Sequence, residues 1–336
     1  MNRRQVLSTL LAAAAVSITG CKKQDSAEGG GGSEKRVTVA FLPKSKGNAY
    51  FVAAKKGADE AAKELGIKLL YEGPTAPDPA RQNEIVEQWI QRGVDVIAAA
   101  CENKEGIATA LRKAREKGIK VVTYDADTLP DARDFFCNQA TPQGIAETLM
   151  EEAAKATGGK GEYAIITASL TASNMNEWQK HIAETNAAKY PEMKQVALRP
   201  CDDLKDKAFA EATALVNAHP NLKLILAICS PAVPGAAEAV KQAGKTDSVK
   251  VVGLGLPNEN RRYVKEGITP SVILWNVGDL GYLTIQAAVA AAKGDLKQGD
   301  TAFKAGRLGE LKIEGSDIIL GKPFVFTAEN IDQFDF

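Results

Sequence analysis

An α/β fold of two lobes, each built on a mostly parallel sheet, is what the sequence predicts, and three observations predict it. Short apolar runs alternate with segments whose apolar residues recur at helical spacing, and a second such series starts after residue 141. The run 94–100 is continuously apolar, as a parallel strand covered on both faces must be. At 336 residues the chain is long enough for two separate cores.

The elements follow in order. Residues 37–41 read as a buried strand, and the chain breaks at Leu42-Pro43-Lys44-Ser45-Lys46-Gly47 before a helix over 48–65. Phe51, Ala54, Ala58, Ala61, Ala62 and Leu65 share one face of that helix, with Lys55, Lys56, Glu60 and Lys63 outside. A strand at 68–71 leads through Gly73-Pro74-Thr75 to a helix over 79–92 with an apolar stripe of Ile85, Val86, Trp89 and Ile90. The strand 94–100, a helix over 104–117 and a strand at 120–124 complete a series that right-handed crossovers make parallel. Residues 134–137 add a short fifth strand.

Thr141 and Pro142 form the N-cap and first-turn proline of a helix to about 157. Strands at 163–167, 194–198, 223–228 and 250–254 then alternate with helices at 174–190, 205–219 and 234–244. A strand at 271–275 precedes a long Ala-rich helix over 277–293. The tail, 295–336, is irregular, with short apolar runs at 318–320 and 324–326. The two units show no sequence repeat strong enough to indicate duplication.

The first twenty residues are expected to lie outside the fold. Arg3 and Arg4 form a positive n-region, and the apolar run 6–18 is too short to span a bilayer comfortably. Ile18-Thr19-Gly20-Cys21 matches the bacterial lipobox, whose cysteine thiolate forms the thioether to a diacylglyceryl group. Residues 1–20 are thus read as a lipoprotein signal peptide, exported by general secretion or the twin-arginine route. Residues 21–35 are read as a lipidated Gly/Ser-rich tether with a reach of roughly 20 Å. Lipid on Cys21 would hold the protein to a membrane its body never enters, in the periplasm or on the outer face of the cell membrane.

Lys+Arg and Asp+Glu both number 42, so no basic surplus points to nucleic acid or an anionic membrane surface. Enzyme motifs fail one by one. Gly253-Leu254-Gly255-Leu256-Pro257-Asn258 lacks the third glycine of a dinucleotide fingerprint, and Pro257 crowds the pyrophosphate position. Gly244-Lys245-Thr246 resembles the end of a phosphate-binding loop, but Ala239 replaces its first glycine and the segment ends a helix. The two histidines, His181 and His219, have no metal-ligand spacing. No catalytic residue, metal or cofactor is expected. Cys101, Cys137, Cys201 and Cys229 each lie at or near a strand end, and intervening strands are expected to hold plausible pairs too far apart to bridge.

What remains is polar and aromatic residues at strand carboxyl ends, where open α/β sheets gather ligands. The first loop offers Lys44, Ser45, Asn48 and Phe51, three hydrogen-bonding side chains and one flat apolar face. Asp125 and Asp127 follow the strand 120–124; a carboxylate accepts two adjacent hydroxyls through charge-assisted bonds. An acid–base pair or metal ligation ranks lower, and Asp127 fits a capping or hinge role equally well. Ser169, Asn174, Asn176 and Trp178, then Ser230 and Pro231, then Trp275 and Asn276, end strands of the second series. Amides both donate and accept, as hydroxyls do, and aromatic faces cover the C–H side of a sugar ring.

Together these residues resemble the type I solute-binding proteins of bacterial sugar ABC importers, and within them the rhamnose-binding and autoinducer-2-binding branch. The resemblance rests on Pro43-Lys44, Gly47-Asn48, Phe51, Tyr124-Asp125-Ala126-Asp127, Asn138-Gln139, Asn174-Met175-Asn176-Glu177-Trp178, Leu274-Trp275-Asn276, Gly281-Tyr282 and the ending Glu329-Asn330-Ile331-Asp332. It implies two Rossmann-like lobes joined by a three-crossing hinge, 36–138 plus 276–310 and 139–275 plus 311–336. It also implies a monomer that delivers ligand to a membrane permease, with Lys44, Phe51, Asp125 and Asn174 lining the cleft. Met175, where relatives usually carry glutamine, and the loop Cys229-Ser230-Pro231 depart from the pattern in the second lobe's half of the site. Asn174 in place of an aspartate favours a rhamnose-like sugar over autoinducer-2, and Gly255 in place of another disfavours ribose- or galactose-type recognition. A ligand-sensing lipoprotein acting on a membrane kinase is the alternative role.

Overall fold

Two sheets carry the fold of residues 36–336, which the computed structural model describes; the expected signal peptide, tether and Cys21 lie outside the described residues. The first series runs β1 (Thr38–Leu42), α1 (Ala49–Glu64), β2 (Lys68–Tyr71), α2 (Pro79–Arg92), β3 (Val96–Ala99), α3 (Lys104–Glu116), β4 (Lys120–Tyr124) and β5 (Phe135–Asn138). The second runs α4 (Pro142–Thr157), β6 (Gly161–Thr167), α5 (Ser173–Lys189), β7 (Met193–Pro200), α6 (Lys205–Ala218), β8 (Leu222–Ala227), α7 (Ala232–Gln242), β9 (Lys250–Leu254), α8 (Pro257–Lys265) and β10 (Val272–Leu274). After α9 (Val277–Lys293) come β11 (Ala302–Lys304), β12 (Glu310–Glu314), β13 (Asp317–Ile319) and β14 (Phe324–Phe326).

The strand orders are β11-β12-β13-β5-β4-β3-β1-β2 and β14-β10-β9-β8-β6-β7. Both sheets hold the same parallel core: the first strand of each series pairs with its second on one side and its third on the other. That reversal opens a crevice at the carboxyl ends of β1 and β3, and again at those of β6 and β8. The central strands are fully buried, which is why they read as unbroken apolar runs. Side-chain caps set the helix starts: Thr141, the expected cap of α4, and likewise Asn48, Asp78 and Asn103 each accept from a backbone N–H of their helix, α1, α2 and α3 respectively.

The chain passes from the first sheet to the second between β5 and α4. It returns after β10, because α9 packs on α1 and β4 of the first sheet. The α1–α9 contact is close enough to need glycine on both sides. A Cβ on Gly57 would lie 1.8 Å from the Gly278 carbonyl oxygen, and one on Gly281 1.8 Å from that of Ala54.

The tail departs from expectation. Residues 311–319, expected with the second lobe, belong to the first sheet: β13 pairs parallel with β5, and β12 pairs back on β13 through a turn at Gly315. Ile313 and Ile318 are buried there, so two isolated apolar residues suffice to cover the edge of β5. Only then does the chain cross again, to place β14 antiparallel to β10. Helix α8, nine residues and mostly polar, is too short for periodicity to expose. Among the described residues no helix is long and apolar enough to cross a membrane.

Candidate functional site

The carboxyl ends of the two sheets face one cavity of about 40 Å³. From the first sheet side it is lined by Lys44, Asn48, Phe51 and Asp125; from the second by Asn174, Met175, Trp178, Ser230 and Trp275. Nine of the ten side chains expected to bind ligand therefore share one space. Pro231 is not among the lining residues and instead stands at the start of α7.

Local structure explains each placement. The loop after β1 carries Lys44 inward, and Asn48 at the start of α1 is both cap and cavity wall: its Oδ1 accepts from the Tyr50 N–H at 2.9 Å. Asp125 follows β4 with φ +61°, a left-handed backbone that Asp adopts more readily than most residues. The turn is held by the Gln139 side chain, which donates to the Asp125 carbonyl at 3.1 Å. Asn174 and Trp178 lie one turn apart on α5. Met175 turns its sulfur back, accepting from the Ala168 N–H at 3.3 Å and so tying the helix start to the end of β6.

Polar contacts cross the cavity between the sheets. Lys44 Nζ lies 3.6 Å from Asp125 Oδ2 and donates to Asn174 Oδ1 at 3.4 Å. Asn48 Nδ2 donates to Asp203 Oδ2 at 2.8 Å, and Ser230 Oγ to Asn48 Oδ1 at 3.3 Å. Trp275 Nε1 donates to the Tyr50 hydroxyl at 2.9 Å. Aromatic edges build the apolar walls: Tyr50 meets Phe51 and Trp275, and Trp275 meets Trp178, at centroid distances of 5.1, 6.2 and 6.3 Å.

Sequence reasoning missed Tyr50 and Asp203, which line the cavity together with Cys229. Asp203 follows β7 beside Asp202, both at positive φ (+55° and +52°). Two consecutive left-handed residues fold the chain over the end of β6 and aim the carboxylate inward, which no linear spacing announces. The two aspartates after β4 part company: Asp127 accepts from Arg133 Nε at 2.9 Å, in a network that includes Asp317, and lines a neighbouring cleft instead. Asn176 and Ser169 bond within their own loop, and Asn276 caps α9.

Electrostatically the site holds more carboxylate than ammonium. Burial opposes charge on Lys44, but Asp125, Glu102 and Asp203 outweigh it and hold the ammonium above its ordinary value. Burial also pushes the carboxyls of Asp125 and Asp203 above the usual range, against the opposing pull of Lys44. A ligand entering here meets acceptors on both sides, one fixed cation and flat apolar walls.

The family model for the periplasmic binding protein domain matches residues 39–296. The chain belongs to the periplasmic binding protein family. As a member of that family it is a solute-binding protein rather than an enzyme. The D-allose-binding periplasmic protein of Escherichia coli is 29% identical over 270 residues, covering 76% of this chain and 84% of that one. A solute-binding protein of an ABC transporter from Clostridium phytofermentas, solved with bound L-rhamnose, superposes with a TM-score of 0.85 at 30% identity, covering 89% of this chain and 98% of that one. LsrB from Clostridium saccharobutylicum, solved in complex with AI-2, gives 0.84 at 27% identity, covering 89% and 100%. The expected likeness to both the rhamnose and AI-2 proteins therefore holds, as does the two-sheet α/β architecture.

Proposed function

We propose that this binding protein captures a small neutral sugar, a rhamnose-like deoxysugar, between two closing lobes and delivers it to the permease of an ABC importer. The observation that carries the reading is a single cavity to which each sheet contributes a carboxylate, the buried Asp125 from one and the half-buried Asp203 from the other. Hydroxyls on opposite sides of a ring then bridge the sheets, so the ligand binds the closed form better than the open one and drives closure by a hinge. The contacts Lys44–Asn174 and Asn48–Asp203 span the same gap, and ligand hydroxyls would take over those groups. Phe51, Trp178 and Trp275 suit the C–H faces and the methyl group of a deoxysugar. The protein acts as a monomer on the exported side of the membrane, held there by lipid on Cys21.

A thermal-shift screen of the purified protein against L-rhamnose, D-arabinose, D-ribose, D-allose and AI-2 tests this. L-rhamnose is expected to give the largest rise in melting temperature. A flat response to every neutral sugar overturns the proposal, and a response to AI-2 alone moves it to signal binding.

The raised carboxyls set a pH dependence. Both groups bind protons more tightly folded than unfolded, so their ionisation at neutral pH costs stability and acidification relieves it. Ligand hydroxyls favour the ionised form, so the complex binds these protons less tightly than the free protein does. The ligand-induced rise in melting temperature should therefore shrink on acidification, starting at higher pH than an exposed carboxylate would cause. Calorimetric titrations at neutral pH and at successively lower pH read this directly; pH-independent affinity would remove the carboxylates from recognition.

A further inference from the structure

The cysteines were expected to stand apart, separated by strands. Cys201 and Cys229 do not: their Sγ atoms lie 3.4 Å apart, and both side chains are buried. Strand β6 does separate β7 from β8, but both chain ends lean across it. The Cys201 N–H bonds to the Thr167 carbonyl at 2.8 Å and the Ile228 N–H to that of Ile166 at 2.9 Å, so the two loops meet above the end of one strand. The left-handed pair Asp202-Asp203 follows Cys201 directly. A disulfide needs the sulfurs about 2.05 Å apart, so closure asks for an approach of roughly 1.4 Å.

We propose that Cys201 and Cys229 form an intramolecular disulfide in the exported protein, tying the loop that carries Asp203 to the loop that carries Ser230. An exported chain meets an oxidising environment, which favours the bond. The oxidant is a disulfide, on a small molecule or on a dithiol protein. One cysteine thiolate attacks it and releases a thiolate to form a mixed disulfide. The second cysteine displaces the other oxidant sulfur, so two electrons pass to the oxidant and the two cysteine protons are released or taken up by its thiolates. Burial pushes the Cys229 thiol well above its ordinary value, which slows reaction in the folded state; the bond therefore forms while the chain folds.

The test is differential alkylation of the full chain, exported through its own signal and extracted in detergent. Free thiols are blocked with iodoacetamide in denaturant, then disulfides are reduced and labelled with N-ethylmaleimide, and peptides are read by mass spectrometry. Cys201 and Cys229 should carry the maleimide and Cys101 and Cys137 the first label; Cys201→Ser should move Cys229 to the first label. Dithiothreitol should lower the melting temperature of the wild type by roughly 4–8 °C and leave Cys201→Ser/Cys229→Ser unchanged. Iodoacetamide on both Cys201 and Cys229, or maleimide on Cys101 or Cys137 instead, overturns the assignment. The readout involves no sugar, so it stands or falls apart from the binding proposal.

Discussion

Asp125→Asn is expected to abolish sugar-dependent stabilisation while leaving the protein folded. Asparagine keeps the size of the side chain and tolerates the left-handed backbone at φ +61°. It loses the charge. Hydrogen bonds to a charged group contribute about 1.5–3 kcal/mol each, so two lost to neighbouring hydroxyls weaken binding by roughly 100-fold or more. Asp125→Ala should lose binding as completely and also lower the melting temperature, because alanine at that backbone angle is strained by about 1 kcal/mol or more. Titration calorimetry separates the two effects: an Asn variant that keeps wild-type affinity would take Asp125 out of the site.

The second large effect lies away from the cavity. Gly281→Ala would drive a methyl group to within 1.8 Å of the Ala54 carbonyl oxygen, and helix backbone offers no flexible neighbour to yield. Either α1 and α9 separate or the protein fails to fold; overpacking of this kind typically costs about 1–3 kcal/mol, and the backbone clash here puts it at or beyond the top of that range. Because α1 presents Tyr50 and Phe51 to the cavity, any fraction that folds should also bind sugar more weakly. Denaturant melts of Gly281→Ala beside an exposed control such as Gly321→Ala, whose added Cβ meets nothing within 4 Å, measure the difference. Equal midpoints would show that the helices slide apart at no cost.

Much of this was legible because the relevant physics is local. The apolar runs of β3 and β4, the stripe on α2 and the cap at Thr141 need no knowledge of distant contacts. The same holds for Lys44, Asn174 and Trp275, since strand carboxyl ends in an open sheet are where ligands gather. Asp203 was hidden for the opposite reason: its direction depends on two left-handed residues and on hydrogen bonds to β6. The Cys201–Cys229 contact hid in the same turn. Residues 311–319 paired with β5 because that edge needed covering, a demand set by the rest of the sheet.

By itself the sequence determined the alternating element order, the two-lobe α/β class, the family likeness and most of the cavity wall, since periodicity, capping and strand-end chemistry act over a few residues. Only the tertiary structure decided that both sheets open onto one cavity, that Asp203 faces Asp125 across it while Asp127 turns aside, and that two thiols meet above β6. Those relations join residues far apart in the chain, and the packing of one sheet's loops against the other's is what brings them within bonding distance.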